Sequence, residues 1–161
     1  MTKDKELKEG DPAPDFSLPA NNGQKLSLKD YKGKKRVVLY FYPKDDTPGC
    51  TKEACDFRDI IGEFTAQDTA ILGVSLDDEA SHEKFIQKYN LPFTLLSDAD
   101  NKVSRAYGVY KEKNMYGKTY WGIERTTLVI GKDGRIAKIY PKVKVDNHIN
   151  EVLGFLKGTP G

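Results

Sequence analysis

The chain has 161 residues, 38% hydrophobic and 31% charged, with 26 Lys and Arg against 24 Asp and Glu for a formal net charge of +2. That length suits one domain over residues 1–161 with a core that needs no disulfide staples, and so balanced a charge argues against a nucleic-acid or membrane partner. The longest apolar stretch is too short to span a bilayer and the first ten residues hold no apolar segment fit for a signal peptide, which points to the cytoplasm.

In chain order, Gly10–Asp15 reads as loop, Phe16–Leu18 as a short strand or turn, and Lys25–Leu28 as a strand behind the Asn21–Gly23 turn. Val37–Tyr42 is apolar nearly throughout, as a strand covered on both faces would be. A helix is predicted from about Cys50 to Thr65, then a strand over Ala70–Ser75. Asp77–Tyr89 begins acidic and ends basic, a helix signature. Leu91–Leu96 reads as a short strand and Asn101–Tyr107 as a short helix. Thr126–Ile130, the turn at Gly131–Gly134 and Arg135–Tyr140 form a hairpin, and Val145–Leu156 closes the chain as a helix. Parallel strand–helix–strand units with a terminal hairpin predict an α/β sandwich of thioredoxin-like type, a central mixed sheet flanked by helices.

The only two cysteines, Cys50 and Cys55, lie in the run Pro43–Cys55, where strand gives way to tight loop and helix. Cys50 would occupy the first helical turn, where free backbone N–H groups and the positive end of the macrodipole favour an anion. A thiol placed there gives up its proton more readily, and the thiolate is the reactive form. The pair could instead be two buried apolar residues, a structural disulfide or half a metal site. Pro48 and Gly49 make a rigid turn beside Lys44, Asp45 and Asp46, read here as solvent-facing, which argues against a cysteine deep in a core. A metal site lacks ligands, since the only histidines, His82 and His148, lie far off in sequence. A permanent disulfide would need cysteines five apart to bond across an α-helix. The reactive reading prevails.

Pro43-x-x-x-Thr47-x-x-Cys50 resembles the peroxiredoxin active-site motif, and Thr47–Cys55 resembles its bacterioferritin-comigratory, or peroxiredoxin Q, branch. Gly10–Leu18, Tyr116–Ile123 and Arg125–Ile130 are similar to further signatures of the family, so the resemblance runs over about residues 10–155. Leu128 departs from it, standing where an aromatic residue is frequent. The resemblance implies reduction of hydrogen peroxide and organic hydroperoxides. Cys50 would attack as thiolate and become a sulfenic acid. Thr47 would donate its hydroxyl hydrogen to the sulfur or the peroxide, or cap the helix, and Pro43 would shape the loop and shield the sulfur. Arg125 would bring a fixed charge to the thiolate and the leaving oxygen. Cys55 would close an intramolecular disulfide, which thioredoxin or a similar dithiol protein would reduce. No cofactor and no metal is implied, and the chain is expected to act as a monomer.

His82 and His148 read as surface or partly buried structural residues, and the aromatics from Tyr116 to Trp121 as cover for one edge of the sheet. Two other functions compete. A thiol–disulfide exchanger would leave Thr47 and Arg125 without purpose and lacks the usual C-x-x-C spacing. A redox-sensing or chaperone-like module would use the cysteine pair only as a switch.

Overall fold

The computed structural model describes residues 6–160, so the first five residues lie outside the described residues. In chain order the elements are β1 (Ser17–Pro19), β2 (Lys25–Ser27), a 3-10 turn (Leu28–Tyr31), β3 (Arg36–Phe41), α1 (Pro48–Asp59), α2 (Ile61–Ala66), β4 (Thr69–Ser75), α3 (Glu79–Tyr89), β5 (Thr94–Ser97), α4 (Lys102–Ala106), β6 (Tyr110–Met115), β7 (Lys118–Ile123), β8 (Thr126–Ile130), β9 (Ile136–Tyr140) and α5 (His148–Gly158).

Every residue of β3 is buried, which suits its apolar run to the centre of a sheet of order β5-β4-β3-β8-β9. β4 lies parallel to both β3 and β5, while β8 is antiparallel to β3 and to β9. This is the expected mixed sheet of a thioredoxin-like α/β sandwich. Alternation along β3 divides the core in two. Val37, Leu39 and Phe41 pack with Phe16, Tyr107 and Leu128, whereas Val38, Tyr40 and Tyr42 pack with α1, α2, α3 and α5. In α5 the buried Ile149, Val152, Leu153 and Leu156 fall three or four positions apart and form one face. Asp78 caps α3 by accepting the Ser81 N–H at 2.8 Å, and the left-handed Asn90 ends it.

Three expectations need correction. The helix predicted from Cys50 to Thr65 is two helices, broken at Ile60 (φ −127°, ψ 27°), which lets Phe64 fold back to 5.6 Å between ring centroids from Phe57. The strand predicted at Leu91–Leu96 forms three residues later, as β5. The aromatics near Trp121 do not cover a sheet edge. They belong to a separate β6–β7 hairpin, turned at the left-handed Tyr116 and Gly117, on which Tyr116 is 98% and Trp121 57% exposed.

Candidate active site

Thr47 stands at the N-cap of α1 with Pro48 in the first helical position, where its fixed φ suits the helix and its missing N–H costs nothing. Cys50 therefore lies in the first turn, as expected. Its burial is not as expected: the residue is 1% exposed and belongs to the core around Tyr40 and Phe57. The Pro48–Gly49 turn carries the helix start into the core rather than away from it.

Arg125, between β7 and β8, reaches this turn from the opposite side. Its Nη2 donates to Cys50 Sγ at 3.2 Å and its Nη1 to Glu53 Oε1 at 2.6 Å. A Cβ on Gly49 would stand 3.0 Å from Arg125 Nη2, so glycine leaves the guanidinium its path to the helix start. Glu53 lies three residues after Cys50, hence on the same helix face, and is fully buried. Burial pushes its carboxyl up to about 7, against the opposing pull of Arg125. Burial also works against the charge on Arg125, but Glu53 and Cys50 overcome it and hold the guanidinium more firmly protonated. Lys113 of β6 is shifted down, first by burial and then by Arg125. Two buried oxygens close by, Glu53 Oε2 and the Tyr40 hydroxyl, have no hydrogen-bond partner among the described residues.

The other expected site residues are near but arranged differently. The Thr47 hydroxyl neither caps the helix nor donates to the sulfur. It donates to the Lys44 carbonyl at 2.8 Å and so offers its oxygen as an acceptor. Pro43 follows the end of β3 and is half-buried. Cys55 is half-buried in the same unbroken helix as Cys50, and both cysteines are free thiols. Burial raises the Cys55 thiol above its ordinary range.

Three residues read as exposed or peripheral are neither. Asp45 is 7% and His82 0% exposed, and they meet at 2.7 Å beneath the loop. His148 is also buried, its Nε2 2.9 Å from Thr127 Oγ1. The role of Glu53 escaped the sequence reading, although an acid three positions after the cysteine was the signal that could have found it. For Asp45, between Lys44 and Asp46, no such signal exists. A cavity of about 350 Å³ lined by Tyr31, Val37, Ile130 and Arg135 lies at the far ends of β3 and β8 from this site. A sulfur beside a fixed cation at a helix start, backed by a buried carboxyl, is fitted to stabilise negative charge on sulfur and on an atom bonding to it.

The model of the AhpC/TSA family matches residues 9–139. The putative peroxiredoxin Bcp of Coxiella burnetii is 58% identical over 147 residues, covering 91% of this chain and 97% of that protein. A cysteine-to-serine variant of Xylella fastidiosa PrxQ superposes with a TM-score of 0.90 at 37% identity, covering 96% of this chain and 98% of the other. The Xanthomonas campestris bacterioferritin comigratory protein, a structure described in terms of alkyl peroxide reduction, superposes with a TM-score of 0.84 at 43% identity, covering 89% of this chain and 90% of the other.

Proposed function

The chain belongs to the AhpC/TSA family, in its Bcp or peroxiredoxin Q branch, and from that premise we propose how this peroxidase works. Cys50 is the peroxide-reacting sulfur, and the observation that carries this reading is the Arg125 Nη2 donating to Cys50 Sγ at 3.2 Å in the first turn of α1. The thiolate attacks one peroxide oxygen. An S–O bond forms as the O–O bond breaks, sulfur is oxidised to the sulfenic acid, and the departing oxygen takes a proton to leave as water or alcohol. Arg125 lies where it can stabilise both the sulfur anion and the charge building on that oxygen. Thr47 supports the reaction as an acceptor, since its own hydrogen is taken by Lys44. Pro43 shapes the loop.

Cys55 then condenses with the sulfenic acid, releasing water and forming an intramolecular disulfide. A dithiol protein of thioredoxin type reduces that disulfide by exchange. Alkyl hydroperoxides are substrates beside hydrogen peroxide, a reading supported by the alkyl peroxide reduction named for the Xanthomonas relative. We further take the protein to act as one domain, as a monomer and in the cytoplasm; no helix among the described residues is long and apolar enough to cross a membrane.

The test is hydrogen peroxide or an alkyl hydroperoxide added with a thioredoxin system while NADPH oxidation is followed. Wild type turns over, Cys50→Ser is inert, and Cys55→Ser consumes one equivalent and stalls. Turnover by Cys50→Ser would overturn the assignment of the nucleophile.

A further inference from the structure

Five residues before Cys50 the loop carries a buried acid that peroxide chemistry does not use. Asp45 Oδ1 accepts from the Tyr42 hydroxyl at 2.5 Å, and its Oδ2 accepts from Ser81 Oγ at 2.8 Å and meets His82 Nδ1 at 2.7 Å. Its backbone N–H donates to Asp77 Oδ2 at 2.8 Å. On the other side of the ring, His82 Nε2 lies 2.9 Å from the Leu96 carbonyl. A carbonyl only accepts, so Nε2 carries a hydrogen. The 2.7 Å contact between Nδ1 and Oδ2 needs one hydrogen between them. The ring is thus held through both nitrogens, and it meets the carboxyl group with side chains 0% and 4% exposed.

We propose that Asp45 and His82 are a clasp that fastens the active-site loop to α3 and so holds Cys50 in register with Arg125. Both are positioning residues, and the proposal rests on the reading of Cys50 as the reacting sulfur. Three observations support it. Arg125 comes from the β7–β8 junction and Cys50 from the loop after β3, so their 3.2 Å contact depends on where that loop is held. Asp46, next in the chain, has a left-handed φ of 57°, a conformation that persists only where the surroundings impose it. Its carboxylate is held by Lys88 Nζ at 2.8 Å and the Tyr89 hydroxyl at 2.7 Å, again on α3. Finally, a buried polar pair is costly compared with two apolar side chains, so stability alone does not account for one here.

The test compares wild type with Asp45→Asn, His82→Leu and the double variant Asp45→Ala/His82→Leu. In reduced wild type, nitrogen–proton correlation spectra of the His82 ring are expected to show both nitrogens engaged in hydrogen bonds. His82→Leu leaves a buried carboxylate without its partner. It should speed amide exchange over residues 44–50 and slow single-turnover peroxide reaction, each by about tenfold or more, while the amides of β3 and β4 stay protected. The double variant lacks the same contact, so its loss should match that of either single variant and fall short of their sum, because the two sites are coupled. The proposal is overturned by a wild-type ring with a nitrogen outside any hydrogen bond, by single variants within about twofold of wild type, by a double variant restored to wild-type behaviour, or by losses that simply add in the double variant. The ring spectrum and loop exchange need no peroxide, so they still decide the clasp if Cys50→Ser shows that another group reacts.

Discussion

At Arg125 one guanidinium serves two acceptors, Nη2 facing the Cys50 sulfur and Nη1 the Glu53 carboxyl. Replacing it with Met keeps much of the stem and deletes both interactions. Arg125→Met should therefore slow the stopped-flow reaction of reduced protein with peroxide on the order of a hundredfold, the usual scale for losing one preorganised donor to developing charge. An unchanged rate would reduce Arg125 to a structural role. The placement of Cys50 was legible because a cysteine directly after Thr47, Pro48 and Gly49 has few other places to sit. Its burial was not, because the charged neighbours Lys44 to Asp46 suggested solvent. Asp45 is itself drawn inward by partners on α3 that lie 36 and 37 residues away in sequence. Local composition cannot report a contact of that range.

At the scale of elements, α1 is the part that has to change. Five residues on an intact helix are separated by a rise of about 7.5 Å and a turn of about 140°, which puts their Cα atoms about 8.6 Å apart. A disulfide needs roughly 4.4–6.8 Å, so Cys50 and Cys55 cannot join while Pro48–Asp59 stays helical. Amides from Cys50 to Asp59 should exchange faster in the oxidised protein than in the reduced one, with the central sheet protected in both. Equal protection, with the disulfide verified by mass spectrometry, would sink this account. β3 and β8 could be read in advance from continuous apolar runs buried on both faces, and α5 from its three-to-four spacing. The break at Ile60 and the β6–β7 hairpin could not. The first depends on how Phe64 packs against Phe57, and the second pairs Glu112 with Trp121 and Lys113 with Tyr120 around a turn of Tyr116 and Gly117 that carries no strong hairpin signal.

For the whole molecule, Glu53 couples the site to global stability. Its carboxyl titrates near 4.5 in the unfolded chain and near 7 in the fold. Below pH 4.5 both states hold the proton and the group costs nothing. As pH rises towards 7 the unfolded chain releases the proton first, so stability falls across that window and the loss is complete above it. Glu53→Gln, which keeps an oxygen for Arg125, should lack this component. The gap between wild-type and variant denaturation midpoints should move with pH between 4.5 and 7 in favour of the variant, and a constant gap would show that burial does not perturb the acid. The exposed hairpin has a different consequence, for how such unfolding can be watched. Trp121 is the sole tryptophan and stands 57% exposed, 5.6 Å between ring centroids from Tyr110. Its emission should already be red-shifted in the native protein and change little when the core melts. A titration followed by that signal would report the hairpin, whereas far-ultraviolet circular dichroism would follow the sandwich itself.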